Sequence, residues 1–255
     1  MAAPPSPLRR RRPCPSPARA REEGGGEGLP RPDTTRRCSA CVRRLYYLAL
    51  RRRSALAIIL KTREEIALLR EAGRITALAL AAVVRAVRPG VTTRALDAIA
   101  AQVLRAHGAQ PAFLGYPNSL FPDAPYPATI NASVDDVLVH GIPNGRPLAE
   151  GQILSIDCGA VWKGYVGDAA VTVPVGRIRP DAQALIDVTR EALERAIAVC
   201  RAGNRLGDVS ATIQEYVESR GYNVVREYTG HGVGRDMHED PNIPNWGTRG
   251  HGPRL

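Results

Sequence analysis

The strongest constraint on this chain's fold is that it spells out one plan twice, 113 residues apart. Glu64–Val87 carries Ile66, Leu69, Ile75, Leu78, Val83 and Val84 at the three- and four-residue intervals of a helix, and Arg88-Pro-Gly ends it. Thr92 or Thr93 can cap a second helix, Leu96–His107, with Gly108 closing it. Ala182–Cys200, the break at Arg201-Ala-Gly and Val209–Arg220 up to Gly221 then repeat the pattern. Leu80 falls on Leu193, Arg88 on Arg201, Gly90 on Gly203 and Gly108 on Gly221. Strand-like sequence follows each helix pair. The expectation is an α+β fold, a duplicated helix–helix–sheet unit whose halves face each other across a pseudo-twofold. About 70 residues of strand and loop follow Gly108 before the second half begins, but 34 follow Gly221. The second sheet is therefore expected to be incomplete.

Within the first sheet region, Gln152–Asp157 is a short apolar run ending on an acid. Lys163-Gly164 is a turn candidate and Tyr165–Val173 the returning strand. A two-residue turn makes Asp157 and Asp168 diagonal neighbours on one hairpin face, roughly 7–8 Å apart at the backbone. Two facing acids repel unless something lies between them, and hard oxygen ligands suit a divalent cation. The competing reading is that both acids cap turns or pair with arginines.

The net charge of +10 suggests nucleic acid until it is located. Residues 1–53 hold 14 of the 35 basic residues and four of the 25 acids, so the remaining residues carry no net charge. A nucleic-acid enzyme is therefore not indicated for the body. Residues 1–56 read as a basic, Pro/Arg-rich, disordered extension and 57–255 as the folded domain. The extension could also be a transit peptide, or follow from a start codon placed too early. Its lone Cys38–Cys41 pair lacks the ligands of a zinc site, since only Cys14 could join it and no histidine precedes His107. No apolar run approaches the roughly 20 residues of a membrane span. The five irregularly spaced cysteines do not form a disulfide framework, so the expected location is the cytoplasm. Cys158 and Cys200 read as small buried apolar groups, and Trp162 and Trp246 as packing residues.

Asn223–Tyr228 is strand-like and runs into TGHGVGRDMHEDP, where Gly230 and Gly232 flank His231 and His238 follows. Those glycines let the backbone approach whatever His231 touches. The segment lacks the spacing of a dinucleotide loop and of a zincin helix. With Asp157, Asp168 and His140, the two histidines favour a site over separate structural roles.

Three segments, DDVLVHGIP, SIDCGAVWKGYVGD and REYTGHGVGRDMHEDP, resemble type I methionine aminopeptidase in order and spacing. The resemblance covers about residues 58 to 255, including LKTREEIALLREAGR and RPGVTT. It implies the duplicated "pita-bread" (creatinase/aminopeptidase) fold and two divalent metal ions held by two Asp, one His and two Glu. Asp157 would bind one metal, His231 the other, and Asp168 would bridge them. His140 and His238 would contact the scissile peptide of the substrate. Phe113, Tyr116, Tyr126 and Met237 would form the methionine pocket. The pattern departs at Gly115–Tyr126, which is longer than usual, and at Asn131, where a small residue or cysteine is common. The two glutamates of such enzymes lie beyond Leu255, so the 255 residues are expected to be impaired or inactive.

The activity implied is removal of the N-terminal methionine of nascent polypeptides by metal-activated water. One of the glutamates would be the general base, and His140 and His238 would donate to the developing charge. The ligand set admits cobalt, manganese, iron or zinc. The expected molecule is a monomer without a membrane partner, its basic tail free to touch the ribosome surface. Two alternatives are a proline-specific peptidase of the same fold and a non-catalytic binding protein whose tail contacts RNA.

Overall fold

A computed structural model describes residues 58–117 and 123–255. These belong to one compact unit, Ala55–Leu255. The expectations for residues 1–56 and for the middle of the Gly115–Tyr126 insertion lie outside the described residues.

Helix α1 (Arg63–Ala86) begins at a capping box, Thr62 accepting from Glu65 N while Glu65 returns the bond to Thr62 N. Its buried stripe is Ala72, Ile75, Thr76, Ala79, Leu80 and Val83. Helix α2 (Thr93–Ala106) is capped by Thr92 and buries Leu96, Ala100 and Leu104. The expected 113-residue repeat holds in three dimensions. Helix α3 (Pro180–Val199) ends, and α4 (Leu206–Glu218) begins, at positions equivalent to those of α1 and α2. The repeat also extends into the loops. Gly90 N donates to Leu148 O and Leu148 N to Val91 O, and in the second half Gly203 N donates to Leu255 O and Leu255 N to Asn204 O.

The main sheet is antiparallel. Strand β3 (Ile153–Trp162) pairs along one edge with β2 (Ile130–Val134) and the two-residue β1 (Gln110–Pro111), and along the other with β4 (Tyr165–Pro174). Leu154, Ile156, Cys158 and Ala160 alternate onto the face that packs with α1 and α2. Glycine is required where that packing is tightest. A Cβ on Gly167 would lie 2.5 Å from the backbone of Ala72 and Gly73, and Thr76 Oγ1 donates to Gly167 O.

The second half contributes a smaller sheet, β5 (Thr229–Gly232) paired with β6 (Glu239–Pro244). Two local expectations are corrected. Asn223–Tyr228 is not a strand; β5 starts at Thr229, and no described strand runs beside the earlier residues to satisfy their backbone groups. Cys200 is exposed at the end of α3, whereas Cys158 is buried. None of the described helices is long and apolar enough to cross a membrane.

Candidate metal centre

The β3–β4 hairpin turns in two residues, Lys163 and Gly164, both at positive φ, and pairs Trp162 with Tyr165. That is the primed turn whose twist matches the strands it joins. The register then sets Gly159 opposite Asp168 and Asp157 opposite Ala170. Asp157 and Asp168 are thus the diagonal pair on one face, the face turned away from the helices. Strand β3 does not stop at Asp157 but continues five residues beyond it, so the acid lies mid-strand rather than at its end. Gly159 leaves room in this layer: a Cβ there would come within 3.0 Å of Phe113 Cε1, so Phe113 lies buried over the glycine.

Both acids are largely buried, and both are pushed up by that burial. Asp168 reaches about 7 because the charge of Asp157 adds to the desolvation. For Asp157, the Asn131 amide and the nearby His140 and His231 work against the burial without cancelling it. The Asn131 amide donates to Asp157 Oδ2 at 2.8 Å. Asp168 Oδ1 is buried with no hydrogen-bond partner, and Asp168 Oδ2 lies 3.6 Å from His231 Nε2.

His231 is held by the β5–β6 hairpin, at the bulge between His231 and Gly232. Its Nδ1 faces Gly232 O at 3.0 Å. A carbonyl only accepts, so Nδ1 is the donor in this contact, and Nε2 is the nitrogen turned toward Asp168. Nε2 of His231, the orphaned Oδ1 and the two buried carboxyls are the nitrogen and oxygen types that a divalent cation takes as ligands. Among the described residues no three acid, histidine or cysteine side chains already close into a cage. The residues fit an ion by their chemistry rather than by a preformed cavity.

His140 stands in the loop that follows β2, with φ +60 in the left-handed region. The neighbouring backbone holds it there: Ala132 N donates to Gly141 O, Gly141 N to Ser133 Oγ, and a Cβ on Gly141 would strike Ala132 O at 2.4 Å. Tyr126 Oη donates to Ile130 O and Gly141 O, which spends its hydroxyl on the loop that presents His140. His238 lies against His231, ring centroids 4.2 Å apart and tilted by 44°, and its Nδ1 meets Tyr116 Oη at 2.7 Å. Met237, beside His238, is half-buried. Of the four expected pocket residues, Tyr116 therefore anchors His238, Tyr126 holds the loop that presents His140, and Phe113 packs on Gly159.

A clamp on the histidine loop has no counterpart in the sequence analysis. Lys61 Nζ lies 2.6 Å from Glu239 Oε2, with 15% and 8% of the two side chains exposed. Glu239 Oε1 also accepts from Arg235 N and Asp236 N. Arg235 reaches Glu65 and stacks over Tyr165, whose hydroxyl donates to Glu65. Val166 N donates to Gly234 O. The segment carrying His238 is thus tied to the start of α1 and to β4. Lys61 and Glu239 lie 178 residues apart, and nothing local marks either as a partner.

The sequence profile of metallopeptidase family M24 matches residues 67–255. Methionine aminopeptidase of Clostridium acetobutylicum is 46% identical over 199 residues, covering 78% of this chain and 77% of that protein. The solved methionine aminopeptidase of Thermotoga maritima superposes with a TM-score of 0.74 at 44% identity, over 78% of each chain. A Xaa-Pro dipeptidase from Bacillus anthracis shares the fold more distantly, with a TM-score of 0.61 and 26% identity over 49% of its length. The duplicated α+β "pita-bread" architecture is common to these structures.

Proposed function

The chain belongs to metallopeptidase family M24 as a metalloaminopeptidase, and from that premise we propose that it removes N-terminal methionine from polypeptides at the Asp157–Asp168–His231 centre. The observation that carries this reading is the pair of buried carboxyls on one hairpin face, one with an orphaned oxygen and with His231 Nε2 3.6 Å from its other oxygen. Asp157, Asp168 and His231 would hold divalent metal, with Asp168 between the other two. We propose two ions, drawn from manganese, iron, cobalt or zinc. Bound there, divalent metal supplies a water acidified to near neutrality and a Lewis acid for the peptide carbonyl.

The remaining steps belong to the chain's own side chains. His140 and His238 flank the acids and present ring nitrogens to the scissile peptide, donating as negative charge develops on its oxygen. Tyr116 Oη against Nδ1 orients the His238 ring. Phe113, Tyr116, Tyr126 and Met237 form the apolar wall on the side where a methionine side chain would lie. Nascent chains are the natural substrate, and the basic residues of the first 53 suit contact with the ribosome surface. The protein acts as a cytoplasmic monomer.

The test is release of methionine from Met-Ala-Ser by the 255-residue chain in excess Mn²⁺, beside a proline-second peptide. Excess metal is needed because, among the described residues, no three ligand side chains already close around an ion. Methionine release that ceases with chelator and with Asp168→Asn supports the reading. Metal-independent release, or equal cleavage of the proline-second peptide, overturns it.

A further inference from the structure

We infer that Asn131 is a positioning residue for metal, the group that fixes the carboxyl of Asp157; this rests on the metal reading of the acid pair. Asn131 is directly opposite Asp157 in the β2–β3 register and only 6% exposed. Opposed residues of an antiparallel pair stand close enough for a short side chain to reach across. The amide does so, Nδ2 donating to Asp157 Oδ2 at 2.8 Å.

In this chain the side chain at position 131 has one specific partner. An acid there would add a third carboxyl to a face that already holds two. An aliphatic residue would leave Oδ2 without its donor in a buried layer, where an unmet acceptor is costly. The amide instead holds one oxygen of Asp157 in place. Beneath it, β2 is anchored independently: Asp97 Oδ1 accepts from Thr129 N and Ile130 N, and the strand pairs with β3 along its whole length. The strand therefore does not depend on Asn131 for its place, and the amide's role is exerted through Asp157. Hydrogen-bonded supports of this kind typically carry ten- to hundredfold of a site's metal affinity.

Two substitutions separate positioning from packing. Asn131→Ala removes the donor and leaves a void, whereas Asn131→Cys nearly fills the space without an effective donor. Calorimetric titration of the full 255-residue chain with Mn²⁺, together with melting in chelator, reads both. Positioning requires both variants to bind Mn²⁺ about tenfold or more weakly than wild type, with Asn131→Cys melting near wild type in chelator. Wild-type affinity in Asn131→Cys overturns the inference and leaves a packing role. Loss of chelator-state stability in Asn131→Cys as large as in Asn131→Ala overturns it too. If wild type binds no Mn²⁺ at all, the metal reading of the acid pair falls, and this inference with it.

Discussion

At Asp168 the fold holds a carboxyl where carboxylates are unwelcome. Its pKa stands at about 7 against an ordinary 3.8, because burial and the Asp157 charge both oppose ionisation. Between those values the folded metal-free chain binds the proton more tightly than the unfolded chain. Stability therefore falls as pH rises through that window. A divalent cation replaces the proton and reverses the penalty, so metal should stabilise the chain more at pH 8 than at pH 5.5. Thermal melting with Mn²⁺ and with chelator at both pH values reads this. Asp168→Asn should flatten the pH dependence and remove most of the metal effect. A metal-induced shift that is equal at both pH values would contradict the assignment. His231→Ala should weaken Mn²⁺ binding, because its Nε2 faces Asp168 Oδ2 at 3.6 Å.

At the scale of elements, what holds the site is partly local and partly not. The β3–β4 hairpin is legible in the sequence because its information is local. Lys163-Gly164 can adopt positive φ at low cost, and the alternation around it dictates which acids share a face. The helices are equally legible from their periodicity and caps. Asn131 is visible in the sequence only as a departure from the family pattern, and its bond to Asp157 follows from the β2–β3 register. Asn223–Tyr228 misled because apolar, β-branched sequence reports a preference for extended backbone, not the presence of a neighbouring strand. The Lys61–Glu239 clamp left no local trace, since its partners come together only after the chain has folded. Lys61→Met leaves Glu239 buried without its cation, and such breakage typically costs about 3 kcal/mol or more. The expected result is a lower urea midpoint with an unchanged slope, together with a weaker contact of His238 with His231. A midpoint within a few tenths molar of wild type would show that the clamp is dispensable. Gly167→Ala is predicted to cost a further roughly 1–3 kcal/mol, because its Cβ would force β4 away from the Ala72-Gly73 backbone of α1.

The whole molecule divides by charge. Every basic residue in excess falls within the first 53 positions, and the remainder is balanced. All three family-like segments, both carboxyls and the three site histidines lie in the balanced part. That part contains the compact unit Ala55–Leu255, whose core of Ile75, Leu96, Leu104, Ile130, Leu154 and Ile156 is built from its own residues. Fold and chemistry should therefore be independent of the basic segment, while affinity for polyanions should depend on it. A net charge of +10 concentrated in one stretch releases counterions on binding RNA, so that binding should weaken steeply with salt. Deleting residues 1–54 should leave the melting temperature within a few degrees of the parent and leave Mn²⁺ affinity unchanged. The same deletion should abolish binding to a non-specific RNA at 50 mM salt, roughly the regime in which such contacts are strongest. A marked fall in melting temperature would mean that the basic segment packs on the body. Retained RNA binding would place the polyanion surface on the balanced domain instead.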